Sequence, residues 1–512
     1  MTQPNDNLYQ FLAQGFPRDR SAIALHTPDQ DYSWADIEYW SACYAEALAG
    51  LNLGEGARVA VQVEKSPQAL WLYLGCLRAG LVYLPLNTAY TASEMAYFLE
   101  DALPALLVCD PSALAELRPV AQAAEIEHIL ELDADGKGSL ADLAAQQSGR
   151  FNTVARHADA LAVIIYTSGT TGRSKGAMLS HGNLAANARV LHDYWGWQAD
   201  DVLLHMLPIF HVHGLFVAAH GALRAGAKMI WLPRFDVAQA LHYLPQTTVM
   251  MGVPTYYVRL LQHADFTADR CAQMRLFVSG SAPLLSETFE RFQERTGHQI
   301  LERYGMSETV MLTSNPWDAA QGPRVAGTVG RPLPGVRLRI VDDNDEMVEG
   351  AAVGHIQVRG PNVFAGYWQM PDKTAEEFTA DGWFRTGDLG HWTPVSGGHE
   401  YVTIVGRNSD LIISGGYNVY PKEIELLIDD FEGVFESAVV GVPDDDLGER
   451  VVVAIVPQEG AQVDTEALAQ HLKGQLANYK CPKEYRLLAE LPRNTMGKVQ
   501  KNSLRALWRG QQ

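Results

Sequence analysis

The run YTSGTTGRSKG (166–176) concentrates Gly, Ser, Thr and one Lys directly after the apolar stretch LAVIIY (161–166). Backbone N–H groups and hydroxyls in such a loop can wrap a phosphate chain, and a lysine can supply charge. The spacing is Gly169-x-x-Gly172-x-x-Lys175, with no Gly before the Lys and no Ser or Thr after it. It therefore departs from the P-loop pattern GxxxxGK[ST] that runs into a helix. The following GAML is short and apolar, and Ser180 is placed to cap the helical run beyond it. The loop is expected to join two strands. An ordinary polar turn is the alternative, and eleven residues this specialised speak against it.

Positioning such a loop takes a sheet. Up to about residue 330, short apolar runs alternate with helical patterns such as SPQALWLYLGCLRAG. The runs include ARVAVQV (57–63), LPALLVCD (103–110), KMIWLP (228–233) and MRLFVSG (274–280). This alternation predicts α/β architecture, with parallel sheets covered on both faces. From about 331 to 405, VRLRIVD, GHIQVRG and EYVTIVG, broken by Gly and Pro, read as short antiparallel strands. After GRNSD (406–410), a helix from Pro421, strands at SAVVGV and VVVAIV, and a helix near 465–477 predict a small α+β domain. The expected division is 1–405, a linker at 406–410, and 411–512.

The chain has 512 residues, 47% of them hydrophobic and 20% charged, which fits a globular protein with several cores. A net charge of −20 argues against general nucleic-acid or anionic-membrane binding. Residues 480–509 reverse that sign, with Lys480, Lys483, Arg486, Arg493, Lys498, Lys501, Arg505 and Arg509 against Glu484 and Glu490. That tail is either a solvated face or a surface that meets polyphosphate. The five cysteines, Cys43, Cys76, Cys109, Cys271 and Cys481, are scattered without a CxxC. A reducing compartment, the cytoplasm, is expected rather than a disulfide framework or a zinc site. The N-terminus lacks a basic, apolar leader pattern, and no run reaches membrane-spanning length.

Several motifs together resemble the adenylate-forming enzymes: acyl-CoA synthetases, peptide-synthetase adenylation domains and beetle luciferases. They are YTSGTTGRSKGAMLSHGNL, LPIFHVHG (207–214), SGSAPL (279–284), RYGMSE (303–308), TGD (386–388), GRNSDLIISGGYNVYPKEIE (406–425) and PRNTMGKVQK (492–501). Their order covers residues 160 to 505. The resemblance implies a large N-terminal domain of two α/β subdomains and a small β-barrel-like subdomain, followed by a mobile α+β C-terminal domain. It also implies ATP, Mg²⁺ and coenzyme A. Thr167, Ser168, Gly169, Thr170, Thr171, Gly172 and Lys175 would hold the β- and γ-phosphates, and Thr167 and Glu308 would place the metal. Gly280, Ser281 and Ala282 would enclose adenine with Tyr304, Gly305, Met306 and Ser307. Asp388 and Arg407 would meet the ribose, and Lys498 would bridge the α-phosphate and the incoming carboxylate. Two anions meet at the α-phosphorus, so charge neutralisation there is the chemical demand.

The same resemblance implies rotation of the C-terminal domain between half-reactions, about a hinge at Ser409 where relatives carry Asp or Lys. Gly415 and Gly416 would then border the pantetheine arm, and His211 the thiol tunnel. Each residue also has a plain alternative. Asp388 can be a turn aspartate, Arg407 and Lys498 surface charges, and Glu308 a helix-start carboxylate.

A dicarboxylic substrate leaves a second charge in the pocket, and that charge must be paired. Arg234 in WLPRFD and Arg275 in MRLFVSGSAPL are the candidates for a carboxylate clamp. Their alternatives are a strand-end surface residue and a structural ion pair. Met306 is expected to line the pocket floor and size it for an α-methyl, with His205 and Arg259 as further polar candidates. HVHGLFVAAHGALRAGAKMIWLPRFD, MGVPTYYVRLLQ, ILERYGMSET and LPRNTMGKVQKN are similar to malonyl-CoA synthetases, so malonate is expected, and methylmalonate as a second substrate. Rival readings are a fatty or aryl acyl-CoA synthetase, a carrier-protein loading enzyme and a non-catalytic nucleotide-binding protein.

Overall fold

The structure, a computed structural model, describes residues 5–167, 174–414, 417–444, 447–494 and 497–509, with the side chains of Asn418 and Arg509 left aside. Contacts divide the chain into two compact units: 1–337 with 359–384, and 338–358 with 385–512.

The first unit contains two α/β sheets. One has six strands in the order His128–Glu131, Leu106–Cys109, Arg58–Gln62, Val82–Pro85, Leu161–Thr167 and Lys175–Ser180. All neighbours are parallel except the last pair. Five consecutive residues of LAVIIY are buried, as expected for a strand covered on both faces. The helix Pro67–Ala79 follows its local signals: Ser66 caps the Ala69 N–H, Pro67 opens the first turn and Gly80 closes it at φ 69°.

The second sheet has nine strands. Its six central members, Leu301–Met306, Leu276–Ser279, Val249–Gly252, Val202–His205, Lys228–Trp231 and Ile23–His26, run parallel. Antiparallel strands close both ends of the sheet. Leu204, Ile230, Met250, Phe277 and Phe292 belong to the apolar core on one side. In such sheets ligands bind at the C-terminal ends of the strands. His205, Trp231, Gly252 and Ser279 end four of them.

The second unit holds most of a four-stranded sheet, Arg337–Val341, Gly354–Arg359, Phe384–Val395 and His399–Arg407, of which Arg337, Arg359 and Phe384 belong to the first unit. Three of these strands match the sequence expectation. The long strand Phe384–Val395 does not, because the Gly and Pro of FRTGDLGHWTPV hide its alternation. The C-terminal segment packs the helix Pro421–Asp429 and the paired strands Val434–Asp444 and Gly448–Pro457 around Ile424, Ile428, Val439, Val453 and Leu468.

As expected, the glycine-rich loop joins two antiparallel strands, with Thr167 opposite Lys175. Helix His181–Tyr194 begins only after Ser180, whose hydroxyl accepts from the Asn183 N–H at 3.1 Å while Asn183 Oδ1 accepts from the Ser180 N–H at 3.0 Å. Ser180→Ala is expected to cost about 1 kcal/mol in urea unfolding, and Ser180→Asp to restore most of it.

Candidate active site

Ser168, Gly169, Thr170, Thr171 and Gly172 lie outside the described residues, as do Gly415 and Gly416. The residues flanking that glycine-rich segment are described. Lys175 Nζ stands 4.4 Å from the Tyr367 ring centroid and 3.5 Å from Glu377 Oε1. Tyr367 donates its phenol to Glu308 Oε1 at 3.0 Å, in a buried contact.

The segment Gly280–Ala282 follows the strand Leu276–Ser279 at its C-terminal end. Ser281 has φ 70°, a left-handed conformation uncommon for a residue with a side chain. Its hydroxyl lies 3.3 Å from His213 Nδ1. A Cβ on Gly280 would come within 2.3 Å of Arg303 Cζ, so a side chain there would displace the guanidinium. Tyr304, Gly305 and Met306 complete the strand Leu301–Met306, followed by Ser307 and Glu308. Val310, β-branched, sits at φ 54° just beyond. Strain of this kind costs on the order of 1–3 kcal/mol per residue and gathers at functional sites.

Sequence reasoning passed over Arg303, although it opens the RYGMSE motif. Only 4% of it is exposed, and its Nε and Nη2 have no hydrogen-bond partner among the described residues. Burial lowers its pKa to about 9. Its charge in turn acts on the histidines of LPIFHVHG. His211 is lowered to about 4, by burial first and Arg303 second, and His213 falls well below its usual range for the same reasons. Both are neutral at physiological pH.

Lys65 was missed as well. It is buried between the strand Arg58–Gln62 and the helix Pro67–Ala79, and reaches the second sheet. Its Nζ lies 2.7 Å from His205 Nδ1, 2.8 Å from His205 O and 4.4 Å from the Trp231 ring centroid. His205 Nε2 meets Gly214 O at 2.8 Å, so Nε2 carries the proton and Lys65 donates to Nδ1. Through His205, the lysine tethers the π-helix His213–Ala219, whose Gly214 would clash with Pro208 O if it carried a Cβ. Helices of this type recur at functional sites.

The sequence expectation for Arg275 does not hold. This residue precedes its strand, as Asp201 and Thr248 precede theirs, so all three stand at the N-terminal edge of the sheet. Four strand residues lie between it and Gly280, a span of roughly 16 Å. Its Nε and Nη2 bind the Asp201 carboxylate at 2.9 and 2.5 Å, and its Nη1 binds Trp195 O at 3.0 Å. Thr248 and the Gln198 N–H donate to the same carboxylate. Arg275 is thus the structural ion pair. Arg234 follows the strand Lys228–Trp231 at its C-terminal end and is exposed. Arg259 is exposed in the last turn of the helix Pro254–Leu261.

In the second unit, Asp388 and Arg407 stand opposite each other on paired strands, with Arg407 Nε 2.8 Å from Asp388 Oδ1. Asp388 is buried. Ser409 is exposed in the turn Asn408–Asp410. Lys498 has its backbone pinned: its N–H donates to Asn494 Oδ1 at 2.9 Å and its carbonyl accepts from the Asn494 N–H at 2.9 Å. Arg493 holds the preceding carbonyl, Gly497 O, at 2.5 Å and also binds Glu436.

The AMP-binding enzyme family matches residues 11–368, and the AMP-binding enzyme C-terminal domain matches residues 423–498. The mitochondrial malonate–CoA ligase ACSF3 of Mus musculus is 38% identical over 83% of this chain and 77% of its own. The indoleacetate–CoA ligase of Aromatoleum aromaticum is 36% identical over 94% of each. Among solved structures, ATP-bound MatB from Rhodopseudomonas palustris superposes with a TM-score of 0.94 at 50% identity, covering 99% of both chains.

Arg275→Met leaves the nearly buried Asp201 without its cation. It should destabilise the fold by roughly 3 kcal/mol in urea unfolding while leaving the KM for the acid substrate unchanged.

Proposed function

Because this chain belongs to the AMP-binding enzyme family, we propose that it converts malonate, ATP and coenzyme A to malonyl-CoA, AMP and pyrophosphate through an acyl-adenylate. Arg303 carries the choice of acid. A buried guanidinium with two nitrogens unpartnered among the described residues, at the ligand-binding edge of the sheet, is suited to a second carboxylate. A monoacid with an apolar tail would leave that charge uncompensated. Arg234, exposed at the same edge, is the second cation in reach of this reading. Methylmalonate differs by one methyl group, and Met306 is the residue we assign to sizing it.

In the first half-reaction a carboxylate oxygen attacks the α-phosphorus and pyrophosphate leaves. Lys175 and the loop from Thr167 hold the β- and γ-phosphates. Gly280–Ala282 and Tyr304–Ser307 form the adenine site, Asp388 and Arg407 hold the ribose, and Lys498 offsets charge at the α-phosphate. Magnesium takes few protein oxygens and draws the rest from phosphates and water. The buried Glu308 carboxylate and the Thr167 hydroxyl fit that demand, and no cluster of three or more metal-ligating side chains exists among the described residues. When bound, the ion supplies charge neutralisation at the phosphates.

In the second half-reaction the thiol sulfur attacks the carbonyl carbon of the adenylate, the C–O bond breaks, AMP leaves and the thiol proton goes to solvent. His211, held to a pKa of about 4, is a weak base, and we assign it to lining the thiol path rather than to taking that proton. Ser409 is our hinge residue, and Gly415 and Gly416 are our pantetheine contacts. Five free, buried cysteines suit a reducing compartment, and we place the enzyme in the cytoplasm.

Acid-dependent AMP release tests the reading with malonate, methylmalonate, succinate, acetate, octanoate and indoleacetate. Malonate should lead by at least tenfold; a lead for octanoate or indoleacetate overturns the choice of acid. Arg303→Met should raise the malonate KM ten- to hundredfold without lowering Tm, because it removes a buried charge with two unpartnered nitrogens. Lys498→Ala should abolish malonate-dependent pyrophosphate exchange and spare thioester formation from supplied malonyl-adenylate.

A further inference from the structure

The segment around Tyr367 is held more tightly than a connection between elements requires. It lies along the strand Lys175–Ser180: Met178 N–H donates to Gly366 O at 3.0 Å, Ala365 N–H to Met178 O at 3.1 Å, and Trp368 N–H to Gly176 O at 2.7 Å. Tyr367 pairs across from Ala177. On the other side, Phe364 N–H donates to Glu308 O at 2.8 Å. Gly366, at φ 137°, leaves no room for a side chain, since a Cβ would come within 2.6 Å of Thr374 Cγ2. Thr374 Oγ1 in turn accepts the Tyr367 N–H at 2.9 Å. One aromatic residue is thereby fixed between the strand that bears Lys175 and the backbone of Glu308.

Tyr367 is 4% exposed, and its two chemical faces meet two different charges. The ring face receives the Lys175 ammonium at 4.4 Å, and the hydroxyl donates to the Glu308 carboxylate at 3.0 Å. Phe364, with its centroid 4.9 Å away, packs against the ring. The same ammonium stands 3.5 Å from Glu377 Oε1, so the ring face and one carboxylate hold it together. A phenol that donates to a carboxylate orients it.

We propose that Tyr367 is a positioning residue for the nucleotide: its hydroxyl sets the Glu308 carboxylate for the magnesium ion, and its ring sets the Lys175 ammonium for the polyphosphate. This rests on the roles given above to Glu308 and Lys175. The two functions are separable, because Tyr367→Phe removes the hydroxyl alone and Tyr367→Leu removes both features.

Calorimetric titration of ATP, with EDTA and across a magnesium series, tests the proposal on the full-length protein. Tyr367→Phe should leave magnesium-free ATP binding within twofold and raise the magnesium concentration for half-maximal enhancement of ATP binding about five- to tenfold. Tyr367→Leu should also weaken magnesium-free binding at least threefold. A magnesium midpoint unchanged in Tyr367→Phe, or an equal loss with and without the ion, overturns it. Glu308→Gln is measured in parallel. If it shifts the midpoint and Tyr367→Phe does not, only the role of Tyr367 falls. If Glu308→Gln leaves the midpoint in place, the metal role of Glu308 falls and this proposal with it.

Discussion

Arg303 lies against the backbone of Gly280, where a single methyl group would come within 2.3 Å of its Cζ. A guanidinium in that position is costly, because burial disfavours charge and its neighbours give it little relief. Three features accompany it. The residue above it is glycine. The neighbouring His211 and His213 are driven to their neutral forms by burial and by the same positive charge. Ser281, next along the chain, adopts a left-handed backbone. These are local losses of stability at the C-terminal edge of the sheet, and the anionic substrate proposed above would offset the electrostatic one. Local rules are broken where function needs them broken.

The opposite edge of the same sheet shows what an arginine does when stability alone is served. Arg275 satisfies its guanidinium with two bonds to Asp201 and one to Trp195 O. Asp201 gathers Thr248 and the Gln198 N–H as well, so three consecutive parallel strands are tied together at their starts. Residue type cannot separate Arg275 from Arg303. Strand register can: Arg275 stands immediately before an apolar strand, on the edge away from ligands, whereas Arg303 follows Glu302, the partner of Ser279 at the C-terminal end of the neighbouring strand.

Legibility followed range. The strand–loop–strand reading of 161–180 rested on a missing helix signal after Lys175 and a cap at Ser180, both local, and the pairing of Thr167 with Lys175 agrees with it. The motif order and the α/β alternation gave the architecture for the same reason. Contacts across the chain were not readable. Lys65 meets His205 140 positions away, and Tyr367 meets Glu308 59 positions away. In sequence, QVEKSP looks like the polar end of a strand and FAGYW like a turn with aromatics. Only packing reveals that one is a buried amine and the other a bridge between opposite charges.

Lys498 poses a different problem. The proposed chemistry needs its charge for one half-reaction and needs room for a thiol in the other. A long side chain on a loose turn would serve neither demand, since its freedom would dilute the charge wherever it was wanted. Here the turn is tied within its own unit. Asn494 binds both the N–H and the carbonyl of Lys498, and Arg493 joins the preceding carbonyl to Glu436 on the strand Val434–Asp444. Lys501, three residues on, is locked to the buried Glu425 at 2.8 Å. The buried pair is retained although such pairs add little net stability. What it adds is a local anchor: Lys501 fixes the chain just beyond Lys498 to the helix Pro421–Asp429, as Asn494 and Arg493 fix it just before.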